Sequence, residues 1–367
     1  MDLASINRKI DLTMVITVLL LCTYGVIAVF SATQSGMHGG NSYLLLKKQI
    51  IGFLIGIAAL LFMSLFNYNK WKNYATTIYI LNIILLAAVL IIGKIHHGAQ
   101  SWFQSGAFQF EPAELAKLLL VISLASFLTN HKGQLDNIRE LVSSLMQVGI
   151  PLLLVLLQPD LGTALCFLAI LLGMMLVAGF PARHFAIIIL AGIIIAFVAI
   201  QFHVLKSYQL DRLTVFVNPD NNVRGAGYNL LQSKIAVGSG QLFGKGLFSG
   251  TQTRLQFLPE RHTDFIFAVI GEETGFFGTV LLLILFFVLV MRGLKTAISS
   301  KNLFGALLAA GIVSLWLFQI FVNAGMTIGI MPITGIPLPF ISYGNSALIA
   351  NLMSVGMLLN IYARRYV

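Results

Sequence analysis

Ten apolar runs divide this chain, over residues 12–32, 50–66, 74–93, 113–128, 142–157, 161–180, 185–202, 265–291, 303–325 and 340–362. That pattern leaves few folds open. Crossing a bilayer takes about 20 residues of helix, so the shorter runs draw on their flanks. Inside lipid the backbone has no water to bond, so each run must be helical. Composition agrees: 58% of the 367 residues are hydrophobic and 10% are charged, the balance of a polytopic membrane protein. The expected fold is an all-α polytopic membrane protein of about ten transmembrane helices with one large extracytoplasmic loop.

The first run follows Arg8 and Lys9, as a signal peptide would. It is too long for a typical signal core, and Phe30-Ser31-Ala32 lacks a small-x-small cleavage pattern, so it reads as a retained helix. Orientation follows the positive-inside rule. With the N-terminus inside, the inner segments hold twelve Lys and Arg, while the short outer loops hold Lys47, Lys48 and Lys94. Ten spans then put both termini in the cytoplasm and the long segment 203–263 outside. With no repeat, low-complexity tract or linker visible, residues 1–367 read as one membrane domain. Cys22 and Cys166 both lie in apolar runs and give no disulfide or C-x-x-C framework. The net charge of +10 is spread over loop ends, with no dense basic face, so no nucleic-acid partner is expected.

The long polar segment ends Pro259-Glu260-Arg261-His262-Thr263-Asp264 and runs straight into Phe265-Ile266-Phe267-Ala268. Asp264 therefore stands where water meets hydrocarbon. Partial desolvation there raises a carboxyl pKa toward the range of a useful base. Such a position suits a substrate that is half lipid and half sugar. The segment before Asp264 carries seven basic residues, Arg212 among them, and three acids, a balance that favours an anionic partner. A solvated loop touching lipid headgroups is the plainer reading, and charge does not choose.

Within residues 228–237, Leu230, Leu231 and Ile235 share a face at helical spacing, which predicts a short interfacial helix. Gly238, Gly240, Gly244, Gly246 and Gly250 follow. They do not make a phosphate loop, because Gly244-Lys245 precedes Gly246 rather than Ser or Thr. Glu114 and Lys117 stand at i, i+3 inside a span. Buried ionisable groups face a protein interior or wet cavity. The pair either locks helices or holds a lysine beside a bound diphosphate. Glu272 and Glu273 in the eighth run read equally as packing or chemistry. Asp160, in Gln158-Pro159-Asp160-Leu161-Gly162-Thr163, reads as an N-cap for the sixth helix. The uncharged segment Met326–Pro339, rich in Pro and Gly, is irregular. It either packs on protein or dips in beside a cavity. The seven histidines show no H-E-x-x-H and are weak metal candidates.

Several ordered strings together resemble one family: Gly98-Ala99-Gln100-Ser101-Trp102, Pro112-Ala113-Glu114-Leu115-Ala116-Lys117, Gln158 to Thr163, Pro259 to Phe267, Gly335 to Phe340 and Ser342-Tyr343-Gly344. The chain resembles the SEDS proteins (shape, elongation, division and sporulation) along nearly its whole length. Glu260 to Phe265 is more similar to the elongation branch than to the division branch. Asn345 departs from the glycine usual there. The resemblance implies a peptidoglycan glycosyltransferase of the bacterial cytoplasmic membrane that polymerises lipid II for elongation and rod shape. It implies Asp264 as the essential acid, and Glu114, Lys117 and Asp160 as polar cavity positions. Thr263 and Ser342, inside its motifs, join Arg212 as expected substrate-binding positions. It also implies a class B penicillin-binding protein as transpeptidase partner, other elongation-complex proteins, and a divalent cation, Mg or Mn, for which the sequence shows no clear ligand set. A division-type polymerase, a flippase for the same lipid-linked precursor and a non-catalytic scaffold are the alternatives. The placement of Asp264 at the outer mouth separates them: a flippase needs polar residues along its whole crossing, and a scaffold needs no such acid.

Overall fold

The computed structural model describes residues 10–34, 40–96, 99–105, 108–131, 137–202, 207–217 and 225–365. Arg8, Lys9 and Gly98, named above, and Lys132, Lys206, Arg224, Asp220 and His97, among the basic residues, acids and histidines counted above, lie outside these.

Among the described residues, ten helices are long and apolar enough to cross a membrane. They are α1 (Leu12–Gln34), α2 (Gly40–Leu65), α4 (Ala75–Ile92), α5 (Pro112–Asn130), α6 (Ile138–Leu157), α7 (Leu161–Ala178), α8 (Ala182–Gln201), α12 (Ile266–Ile298), α13 (Leu303–Ile328) and α14 (Asn345–Ala363). The short α3 (Tyr68–Asn73) leads into α4, and α9 (Ser207–Val217), α10 (Ala226–Ser239) and α11 (Thr251–Arg254) lie between α8 and α12. Each of the ten apolar runs has its helix.

Local chemistry sets the boundaries. Pro112 opens α5, where its missing N–H costs nothing. Asp160 caps α7 by accepting from the Thr163 N–H at 3.0 Å, and Asn302 caps α13 by accepting from the Gly305 N–H at 2.9 Å. Gly179 and Gly329 close α7 and α13 in the left-handed conformation.

Helices α5, α13 and α14 form the centre and bury most of their residues, whereas α8 is exposed along nearly its whole length. An Ile-rich helix that is apolar all round is at home facing lipid. Contacts in the bundle rest on small residues and a few hydrogen bonds, as lipid gives no hydrophobic drive between helices. A Cβ on Gly356 of α14 would lie 2.3 Å from the Leu60 carbonyl of α2. Asn360 donates through Nδ2 to the carbonyls of Ser64 at 2.6 Å and Phe66 at 2.8 Å. Trp316 donates to Asn351 Oδ1 at 2.7 Å.

Two features were not expected. Residues between α4 and α5 form a small antiparallel sheet, β1 (Lys94–His96), β2 (Ala99–Ser105) and β3 (Phe108–Phe110), in the order β1-β2-β3. These strands are too short and too mixed in sequence to show a period. Second, α12 is broken at Gly275, whose φ of 66° and ψ of −160° suit glycine alone.

The described residues from Ala226 to α12 pack on the bundle. Helix α10 forms as expected, and a face rich in small residues seats it on the bundle. Gly227, Leu230, Ser233 and Ala236 are buried, while Leu231 and Ile235 are exposed. Small residues let the helix seat closely, and the Ser233 hydroxyl donates to the Thr327 carbonyl at 2.8 Å. The glycines that follow serve close approach. A Cβ on Gly240 would lie 1.9 Å from the Gly271 carbonyl, and one on Gly244 would lie 2.1 Å from that of Glu273. Glu272 is the anchor. Its carboxylate accepts from Lys245 Nζ at 2.8 Å, the Gln252 N–H at 2.9 Å, and Thr251 and Thr253 hydroxyls at 3.1 Å. Glu273 accepts from the Ser31 hydroxyl at 2.5 Å and ties α12 to α1. Both glutamates are structural in this arrangement.

Candidate active site

Five helices begin around one cavity of about 690 Å³. Glu111 at the start of α5, Asp160 at the start of α7, Gly225 before α10, Asp264 before α12 and Gly344 before α14 all line it. Its volume lies in the range of ligand sites, roughly 300–1,000 Å³. Helix N-termini carry partial positive charge and free N–H groups, so their convergence favours carboxylates and bound anions. The same chain reversals explain the geometry, because alternate spans start at the same end of the bundle.

The structure brings Asp264, Thr263, Glu114, Lys117, Asp160 and Arg212 to the cavity wall. Lys117 and Glu114 are nearly inaccessible and paired at 2.6 Å. A buried pair of this kind is held by mutual neutralisation. Asp160 combines its capping bond with a place on the wall. Arg212 comes from α9 and donates to the Thr334 carbonyl at 3.2 Å. The segment Ile333 to Pro337 forms one side, so the irregular loop borders the cavity. A Cβ on Gly335 would stand 3.3 Å from Asp264 Oδ2 and 3.7 Å from Arg212 Nη1. Asp264 and Arg212 thus approach the same backbone point from two elements.

Ser342 is the exception among the expected site residues. It is buried behind the wall and takes no part in the lining. Its hydroxyl donates to the Thr263 carbonyl at 2.6 Å and accepts from the Leu338 N–H at 2.8 Å. Asn345 does line the cavity, and a Cβ on Gly52 would lie 2.4 Å from its Oδ1, so the side chain fills space that α2 leaves.

Residues not singled out beforehand hold the arrangement. Asn323 of α13 donates to the carbonyls of Asp264 at 2.9 Å and Ile336 at 2.8 Å, joining the acid's backbone to the loop. The Tyr343 N–H donates to the His262 carbonyl at 2.9 Å. Glu260 has a φ of 48°, a strained value for a residue with a side chain, beside the functional segment. Its carboxylate accepts from the Thr263 hydroxyl at 3.1 Å. Glu111 is the main omission. It precedes Pro112 at a water–hydrocarbon boundary, the same signal that marks Asp264, and its N–H donates to the Ser346 hydroxyl at 2.9 Å.

Electrostatics of the wall are uneven. Among the described residues it carries six carboxyl groups against one lysine and one arginine. Burial, then the charges of Glu114, Asp160 and Asp264, push the Glu111 carboxyl well above the ordinary range. Burial lowers the His262 pKa and favours its neutral ring. No three His, Cys, Asp or Glu side chains among the described residues are placed to hold a metal ion between them. The protein's own donors therefore do not fit a closed metal site, and no step below runs through one.

Residues 11–366 match the family model of the cell cycle proteins FtsW, RodA and SpoVE. Stage V sporulation protein E of Bacillus subtilis is 38% identical over 356 residues, covering 96% of both chains. Peptidoglycan glycosyltransferase MrdB of Escherichia coli is 36% identical, covering 97% of this chain and 94% of that one. Among solved structures, a chain from work on structural coordination of polymerization and crosslinking by a peptidoglycan synthase complex has TM-score 0.82 and 30% identity over 97% of this chain and 98% of that one. The rod shape determining protein RodA of Thermus thermophilus has TM-score 0.72 and 30% identity, covering 98% of each. The chain belongs to the FtsW/RodA/SpoVE family, the SEDS proteins.

Proposed function

We propose that the chain is a peptidoglycan glycosyltransferase of the elongation type, which polymerises lipid II into glycan strands. One observation carries this reading. The Asp264 segment, at the head of α12, opens onto a cavity shared with the buried Lys117–Glu114 pair and Arg212. A base and two cations then face one space.

The chemistry follows from the substrate. Lipid II carries its sugar through an α-linked diphosphate, and the polymer is β-linked. A single in-line displacement inverts that centre, as in inverting glycosidases, and needs one base. Asp264 takes the proton from the acceptor's 4-hydroxyl as that oxygen attacks the donor's anomeric carbon. The carbon–oxygen bond to the diphosphate breaks, and the electron pair leaves with it. Lys117 and Arg212 offset the charge on the leaving diphosphate, stabilisation that grows along the reaction. Thr263 and Asp160 complete the wall. A divalent cation, Mg or Mn, would have to take most of its ligands from the diphosphate and water.

Asn323 and Ser342 keep Asp264 in place through the backbone on either side of its side chain. Farther into the bundle, a Cβ on Gly311 would lie 2.8 Å from both Met174 and Val121, so the helices close tightly below the cavity. A floor of that kind suits transfer at a mouth better than passage of a lipid-linked sugar. The multi-pass chain belongs by this reading in the bacterial cytoplasmic membrane, with both termini inside, beside a class B penicillin-binding protein as transpeptidase and other elongation-complex proteins.

Purified protein with labelled lipid II, with and without the transpeptidase, tests the proposal. Polymer should form, and Asp264→Asn should abolish it while leaving expression and partner binding intact. A general base contributes about 10²–10⁴-fold, so a near wild-type rate in the Asn variant sinks the reading. Lipid movement between leaflets without polymer would instead support a flippase.

A further inference from the structure

Glu111 is, with Asp211 and Glu260, a cavity carboxyl that the transfer, as derived above, does not use. Its place is built. The N–H is held by the Ser346 hydroxyl at 2.9 Å, Pro112 fixes the start of α5 behind it, and the side chain makes no capping bond to that helix. It shares the wall with Glu114 and Lys117 of its own helix, Asp160 of the α6–α7 hairpin and Asp264 at the head of α12. Glu114 is already committed to Lys117 at 2.6 Å. Outside that pair, the carboxylates of Asp160 and Asp264 remain around Glu111. An anionic diphosphate entering this space meets excess negative charge unless some carboxyl is neutral.

We propose that Glu111 binds the substrate as a neutral carboxylic acid, donating its O–H hydrogen bond to a phosphate oxygen of the lipid-linked donor. This rests on the transferase reading. No covalent step is added: the proton stays on Glu111 while the diphosphate is bound. A protonated acid offers a donor where an ionised one offers only acceptors, and it lowers the count of like charges by one. Burial and the three neighbouring carboxylates hold the group protonated well above the ordinary glutamate range. Asp264 and Glu111 then divide two protonation states between two carboxyls of one site, base and donor, by environment alone.

The test compares wild type with Glu111→Gln and Glu111→Leu in polymerisation of labelled lipid II from pH 6 to 9.5, alongside thermal unfolding over the same range. Wild-type turnover should fall about tenfold per pH unit once Glu111 ionises. Gln keeps an N–H donor without titrating, so its slower rate should stay flat on the alkaline side and exceed wild type at the top of the range. Leu should lose at least about 10²-fold throughout. Folding favours the protonated form, so stability falls as pH rises from the unfolded glutamate value of about 4.3 toward the raised folded value and levels off above it, and Gln should remove that slope. If the Gln variant is as inactive as Leu while folded, or if it shares the wild-type alkaline decline, the proposal is overturned. If wild type forms no polymer at any pH, the transferase reading fails first and takes this one with it.

Discussion

The Ser342 hydroxyl donates to the Thr263 carbonyl at 2.6 Å, one residue before Asp264 in the chain. The same oxygen accepts the Leu338 N–H at 2.8 Å. One side chain thus joins the head of α12 to the irregular segment that walls the cavity. Ser342→Ala should leave both backbone groups unpaired, at about 1–3 kcal/mol for each buried group. Its unfolding temperature should drop, and polymerisation should fall roughly tenfold or more because misplacing a catalytic group is costly. An Ala variant with unchanged rate and melting would remove Ser342 from any positioning role.

Lys117 and Glu114 should behave as a unit in stability and separately in function. Removing one partner leaves a buried charge, at about 3–5 kcal/mol. Lys117→Met should therefore melt well below wild type, and Lys117→Arg should be milder in both melting and rate. Combining Lys117→Met with Glu114→Leu should recover much of the melting temperature without recovering polymerisation. Recovery of both would show that the lysine's charge serves folding alone.

Gly335 has a φ of 77°, and its missing side chain leaves room for Asp264 Oδ2. Gly335→Ala adds backbone strain of about 1–2 kcal/mol and puts a methyl group beside the base. The rate of polymer formation should drop by roughly 10²-fold, far beyond the modest fall in melting temperature. Equal, small effects on both would mean the carboxylate has space to move aside.

Glu272 should govern the order of the segment before α12. Glu272→Ala removes the acceptor for Lys245, Thr251, Gln252 and Thr253 together. Limited proteolysis of the folded variant should cut within residues 240–256 much faster than in wild type. An unchanged cleavage pattern would show that glycine contacts alone hold the segment.

Burial lowers the folded-state pKa of His262 below the unfolded value of about 6.5. Between those values the unfolded chain holds more protons, so stability rises with pH there. Wild type should lose melting temperature as pH falls from 7.5 to 5.5, and His262→Gln should lose less. Parallel losses in the two proteins would assign the acid sensitivity elsewhere.

Sequence legibility followed distance along the chain. The ten spans were readable because a bilayer forces long apolar helices whatever their neighbours. Asp160 as a cap and the Glu114–Lys117 pair were readable because three-residue spacings in a helix are contacts in themselves. Asp264 was marked by the abrupt change from polar to apolar chain around it. Glu111 carries the same mark, but a lone acid before Pro112 reads in sequence as an ordinary helix start.

Other outcomes depended on what lay across the bundle. The interfacial helix α10 was readable from Leu230, Leu231 and Ile235, but its seat on the bundle was not, because Gly227, Ser233 and Ala236 hold it by closeness of fit rather than by hydrophobicity. The glycines after α10 fail the phosphate-loop pattern in sequence, but only Gly271 and Glu273 packed against them show that they serve close approach.

By itself, then, the sequence determined a bundle of ten membrane helices and which residues were candidates for chemistry, because membrane solvation and helical spacing act locally. Tertiary structure alone decided that five helix starts meet at one cavity, that Ser342 stands behind its wall, and that Asn323 ties Asp264 to the loop. Those relations join residues far apart in the chain, and they are set by packing among helices whose order in sequence does not fix their arrangement in space.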